Sequence, residues 1–122
     1  NFKKLDKLNK IMLTDQEMQQ IAEQYISFLM KDSNKVLIVF PGPIKKTYGN
    51  IYRYDTKKLA ETGDFKYSIV HGPILAEKAT GRIVTFGTAY PEEEYFKAFE
   101  NGTLVPCSTR YWNSETEEYS SK

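Results

Sequence analysis

The sequence predicts an α+β domain: an antiparallel sheet of about four strands with helices packed mainly on one face, in the order α-β-β-β-β-α. Three observations carry this. A single apolar stripe runs at helical spacing from Thr14 to Lys31. Short β-branched and aromatic runs follow, each cut by Gly or Pro. A second helix start is then written as Pro91-Glu92-Glu93-Glu94.

The first helix is the clearest element. Thr14 and Glu17 stand at capping-box spacing, so the hydroxyl accepts a backbone N–H and the carboxylate reaches back. Met18, Ile21, Ala22, Tyr25, Phe28 and Leu29 share one stripe, and the helix is expected over Asp15 to Lys31. Before it, Lys3, Lys4, Lys7 and Lys10 alternate with Leu5, Leu8, Ile11 and Met12. Residues 1–12 therefore read as an N-terminal arm or short amphipathic helix.

Val36 to Phe40 reads as a central strand stopped by Pro41-Gly42-Pro43. Ile44 to Asn50 reads as a loop. Lys45-Lys46 beside Gly49 is not a phosphate loop, since no GxxxxGK[ST] exists. Ile51 to Tyr54 is the second strand, with Tyr52 and Tyr54 on one face and Ile51 and Arg53 on the other. After a turn over Asp55 to Lys58, Leu59 to Asp64 forms a helical turn closed by Gly63. Ile74 to Lys78 and Arg82 to Phe86 form a hairpin about Gly81. The helix opened by Pro91, placed at the first helical position, ends at Asn101-Gly102. The C-terminal extension, residues 103–122, offers an edge strand through Leu104, Val105, Tyr111 and Trp112, while Glu115 to Lys122 reads as a frayed polar tail.

Composition bounds the function. A chain of 122 residues with 40% hydrophobic content builds one domain, spanning 1–122, with a core. Seventeen basic residues against sixteen acidic ones, a net charge of +1, lack the footprint of a general nucleic-acid binder. No apolar run approaches the ~18 residues of a membrane span, so no membrane partner is expected and the cytoplasm is the expected compartment. Cys107 is the single cysteine and His71 the single histidine. No metal site is expected, because a zinc centre needs about three or four spaced ligands. No cofactor and no catalytic residue are assigned, so the inventory leans to binding and the protein is not expected to be an enzyme. His71, beside Gly72, is the one general-base candidate, with Asp64, Glu77 or Cys107 as partners. The competing reading is a loop histidine and a lone thiol.

The second half is familiar as an ordered set. Glu61-Thr62-Gly63-Asp64 is followed by Gly72-Pro73-Ile74, Lys78-Ala79-Thr80-Gly81 and Phe86-Gly87-Thr88-Ala89. Pro91-Glu92-Glu93-Glu94-Tyr95 and Phe99-Glu100 complete it, with Tyr52 and Tyr54 ahead. This set resembles the Immunity protein 35 family, which includes the YrhB-like small bacterial proteins. The match covers roughly Asn50 to Glu100; the Lys-rich start and the tail lie outside it. The resemblance implies an immunity protein. Such a protein binds a cognate toxin, encoded beside it, and neutralises it stoichiometrically in the producing cell's cytoplasm. A chaperone-like or protein-stabilising role is the alternative that the same resemblance implies.

The residues of the motif themselves read mainly as fold. Gly63, Gly81 and Gly87 are bends, and Tyr52, Tyr54, Phe86, Tyr95 and Phe99 are core. Candidate partner contacts are Tyr90, Glu92, Glu93, Glu94, Arg110, Tyr111 and Trp112. The glutamates form a local acidic patch able to steer a basic partner, or else a solvated first turn. Tyr, Trp and Arg are the usual interface anchors, although Trp112 also suits a cap folded back on the sheet. An unpaired edge after Thr103 suits dimerisation or docking of a partner strand, which leaves the oligomeric state open.

Overall fold

The computed structural model describes residues 12–122. The predicted N-terminal arm, except Met12, lies outside the described residues. The α+β class holds. Helix α1 spans Asp15–Met30 and opens with the expected capping box: the Glu17 N–H donates to Thr14 Oγ1 at 3.1 Å, and the Thr14 N–H to Glu17 Oε1 at 2.9 Å. Its buried face is Met18, Ile21, Ala22, Tyr25 and Ile26.

Among the described residues the strands number eight rather than about four. They are β1 Leu37–Val39, β2 Ile44–Lys46, β3 Gly49–Tyr52 and β4 Tyr54–Thr56, then β5 Ile74–Glu77, β6 Ile83–Thr85, β7 Tyr111–Asn113 and β8 Glu118–Ser120. Six form one antiparallel sheet in the order β2-β3-β5-β6-β7-β8, and β1 pairs with β4 in a separate two-stranded ladder. Short helix α2 spans Lys57–Thr62 and ends on Gly63 in the left-handed region. A 3₁₀ turn covers Phe65–Tyr67. Helix α3 spans Glu92–Asn101. Pro91 stands one place earlier than expected, at the N-cap, while the three glutamates fill the first turn as the helix dipole favours.

Three departures from the sequence reading have physical causes. Ile44 to Lys46 is not loop but edge strand, in register Ile44↔Ile51 and Lys46↔Gly49. Its lysines depress strand propensity while guarding the sheet edge against pairing with another chain. Gly49 permits this hairpin to lie against β5, because a Cβ there would collide with the Ala76 carbonyl oxygen. The strand expected at Ile51 to Tyr54 is divided. Tyr52 pairs with Ile74 in the large sheet, Tyr54 pairs with Val39 in the small one, and Arg53 marks the crossing. The residues expected to turn, Asp55 and Thr56, extend the second piece, and Thr56 then caps α2 by accepting from the Leu59 N–H at 3.0 Å.

The third departure is the tail. Glu115 to Lys122 contains β8, paired as Trp112↔Tyr119. Asn113 Oδ1 accepts the Glu115 and Thr116 N–H groups at 2.8 and 3.3 Å and shapes the turn. The region from Leu104 to Thr109 does not join the sheet.

Helix placement also differs from expectation: α1 and α3 cover opposite faces. Strand alternation sends Ile74, Ala76 and Ile83 to one side, where they join Tyr52, Trp112 and the buried face of α1. Leu75, Val84 and Ile51 go to the other, where they meet Phe86 and Phe96 of α3. Both faces of the central strands are apolar, so each needs a cover. No helix among the described residues is long and apolar enough to cross a membrane.

Candidate functional site

The division of the strand at Arg53 opens a cleft where the two sheets part. The cleft measures about 260 Å³ and is lined by Phe40, Arg53, Tyr54, Asp55, Phe65 and His71, together with Leu59, Ser68, Pro73 and Glu92. Strand β4 supplies Tyr54 and Asp55. Residues 68–73 run back across them toward β5 and bring His71 over the floor.

Asp55 organises this segment. Its Oδ1 accepts the Thr56 N–H at 2.7 Å and the Ile69 N–H at 3.1 Å, and its Oδ2 accepts the Ser68 hydroxyl at 2.7 Å. The His71 imidazole stacks on Tyr54 with ring centroids 3.8 Å apart, and its Nε2 faces Asp55 Oδ2 at 3.8 Å. A carbonyl only accepts, so the 2.7 Å contact from His71 Nδ1 to the Gly72 oxygen places a proton on Nδ1. Burial alone would raise the Asp55 carboxyl. The Ser68 hydroxyl, the two amides and the facing imidazole outweigh it and hold the group below its usual range. Burial pushes the Tyr54 phenol up, which keeps it protonated.

This grouping is not a nucleophile relay. Such a relay needs a hydroxyl or thiol bonded to the imidazole and a third group orienting the ring. Here the Ser68 proton goes to Asp55 instead. Cys107 is exposed in the 103–110 segment, where its Sγ meets Thr109 Oγ1 at 3.5 Å, so the structure does not join it to His71. Glu77 is engaged by Arg82 Nε at 2.7 Å, and Asp64 caps the 3₁₀ turn by accepting the Lys66 N–H. Asp55, the actual neighbour of His71, was not among the sequence candidates. Nothing local marks it, because the contact depends on the return path of residues 68–73. Among the described residues no group of three or more His, Cys, Asp or Glu is placed to hold a metal ion.

The seven sequence candidates separate into two sets. Glu92 lines the cleft and forms an ion pair with Arg53. Tyr90 is 67% exposed beside Tyr95, and Glu93 and Glu94 are exposed on the first turn of α3. The other three lie on strand β7 or directly before it. Arg110 is buried, and its guanidinium donates to the carbonyls of Thr85 at 2.7 Å and Val105 at 3.0 Å. Tyr111 is half-buried beneath the Arg82 guanidinium, 4.0 Å from its ring centroid. Trp112 is sealed in the core between Tyr25 and Phe28, with centroids at 5.1 and 5.2 Å. Arg110 and Trp112, read as candidate partner contacts, are both buried in this chain: Trp112 stands on inner strand β7 with its ring in the core, and Arg110, just before that strand, is tied to backbone carbonyls. Two apolar side chains outside the predicted set stand out instead. Phe65 is 82% exposed and Val70 is 88% exposed, at the two ends of the segment that roofs the cleft. Single exposed apolar residues carry no pattern that sequence reading detects.

No family model, curated protein or solved structure matches this chain.

Proposed function

We propose that this chain is a toxin-neutralising immunity protein that acts in the producing cell's cytoplasm by stoichiometric binding, without catalysis. One observation carries the reading. Phe65 and Val70 project from a segment pinned to Asp55, beside a cleft rimmed by the Arg53–Glu92 pair and by His71. Apolar anchors on a rigid support with a polar rim are the anatomy of a protein-binding surface. The resemblance to the Immunity protein 35 family supports the same reading and supplies the class of partner, a bacterial toxin encoded beside it. Tyr90, Glu93 and Glu94 extend the surface along the start of α3.

The test is co-expression with the adjacent toxin gene. The intact chain rescues growth and co-elutes with the toxin as a single complex. Phe65→Glu with Val70→Glu weakens the complex by about tenfold or more, as loss of central apolar contacts does. Stability stays within roughly 0.5 kcal/mol, because both side chains are exposed. Absence of rescue by the intact chain overturns the proposal. Suppression of aggregation of several unrelated clients, with no toxin bound, establishes the chaperone-like alternative.

A further inference from the structure

A second hollow of about 350 Å³ adjoins the cleft on the far side of α2 and shares none of its lining residues. Lys35, Val36, Lys57, Lys58, Glu61 and Tyr67 form most of its wall. The Lys57 N–H donates to the Val36 carbonyl at 2.9 Å and ties the entry of β1 to the start of α2. That bond holds Lys35 and Lys57 at one rim.

Three lysines share this one lining, whereas Lys78, Lys97 and Lys122, which also have no carboxylate partner among the described residues, lie outside it. Lys31, Lys45, Lys46 and Lys66 each have a carboxylate at 2.8 to 3.7 Å. Lys35, Lys57 and Lys58 have none among the described residues, and Glu61 is the one acid in the lining. Lys58 Nζ lies 5.0 Å from the centre of the Tyr67 ring and Lys66 Nζ 5.1 Å, so two ammonium groups stand over one ring. Val36, 58% exposed, adds an apolar wall. A chain whose net charge is only +1 thus gathers three lysines against one glutamate in this hollow.

The ligand chemistry follows from what the hollow offers. Phosphates are usually cradled by free backbone N–H groups. At the start of α2 the Lys57 and Leu59 amides are already bonded, to the Val36 carbonyl and the Thr56 hydroxyl. What the lining offers is three lysine charges and one glutamate around an apolar and aromatic wall. Carboxylates on a flexible chain, with an apolar side chain between them, fit that arrangement by charge and by shape.

We propose that this hollow binds an acidic, extended segment of the protein partner, while the Phe65 and Val70 surface takes its apolar contact. The inference rests on the protein-binding reading above. The probe is a short fluorescein-labelled peptide of alternating Glu and Leu, titrated by anisotropy against the full chain at low salt. Its control peptide carries Gln for Glu. The acidic peptide binds, the Gln peptide does not, and added salt weakens binding. Lys35→Glu with Lys57→Glu weakens binding by about tenfold or more, since like charge now faces the carboxylates. Lys97→Glu, on exposed α3, leaves it unchanged. Should the charge-reversed pair lose its fold by circular dichroism, Lys35→Gln with Lys57→Gln repeats the measurement at lower charge cost. Equal affinity of wild type and the Lys35/Lys57 variants overturns the inference. So does displacement of the peptide by ATP at lower concentration than by unlabelled peptide, which would mark a phosphate site. The two proposals fail separately. Rescue that survives Lys35→Glu with Lys57→Glu removes the hollow alone. Failure of the intact chain to rescue, with peptide binding retained, removes the toxin reading and leaves the acidic-segment site.

Discussion

The His71 imidazole turns Nε2 toward Asp55 Oδ2 at 3.8 Å while the same carboxylate holds the Ile69 N–H and the Ser68 hydroxyl. Sixteen positions apart in the chain, the two residues close the segment that carries Val70 onto β4. The interaction surface proposed around Phe65 and Val70 therefore depends on a buried carboxylate that need not touch the partner.

Asp55 makes stability depend on acid pH. Its carboxyl is held below the usual value near 3.9. A depressed folded-state pKa contributes stability that is complete above the unfolded value and is lost as pH falls through the folded one. Urea denaturation between pH 7 and pH 2 is expected to show a decline below about pH 4, shallower in Asp55→Asn. At pH 7, Asp55→Ala costs on the order of 1–3 kcal/mol, because the Thr56 and Ile69 amides lose their acceptor.

The C-terminal hairpin is structural. Tyr119 and Tyr25 share a hydroxyl–hydroxyl hydrogen bond of 2.9 Å, and Tyr119 lies edge-on to Phe28 with centroids 5.8 Å apart. Removing residues 115–122 uncovers this cluster and one side of Trp112. The melting temperature is expected to fall by roughly 10 °C, the equivalent of a few kcal/mol in a domain this size. The emission of Trp112, the single tryptophan, is expected to shift to the red. Unchanged emission would show that β8 does not cover it.

Trp112 itself presents a buried indole N–H without a hydrogen-bond partner among the described residues. Trp112→Ala is expected to cost about 3–5 kcal/mol through the cavity it leaves. Trp112→Phe removes the unsatisfied donor as well as ring volume, so its cost is expected below about 2 kcal/mol. Paired denaturation curves of the two variants check this. Both variants lack the N–H, so equal costs would mean that the phenyl ring fills none of the cavity that Trp112→Ala leaves.

Arg53 and Glu92 are half-exposed, so their ion pair contributes little to folding. A double-mutant cycle with Arg53→Ala and Glu92→Ala is expected to give a coupling of about 0.2–1 kcal/mol in stability. In the proposed toxin complex the same cycle is expected to give a larger value, since the pair would lose water at a covered rim.

Much of the secondary structure was legible along the chain. The Thr14–Glu17 box placed α1, Gly81 placed the β5–β6 hairpin, and the glutamates after Pro91 placed α3. These are local signals: each depends on residues within a few positions of one another. Strands β2 and β8 were not legible, because an edge strand such as Lys45-Lys46 or Glu118-Tyr119-Ser120 has the polar composition of a loop.

The α+β class and the main helix were thus determined by the sequence alone, through patterns that short-range physics enforces. Tertiary structure decided the rest. It set α1 and α3 on opposite faces of the sheet and split one extended run between two sheets at Arg53. It withdrew Arg110 and Trp112 from the surface and joined Asp55 to His71. Each of these depends on which distant segments bury each other's apolar area and satisfy each other's polar groups. That choice is made across the whole chain at once, and no single stretch of it carries the answer.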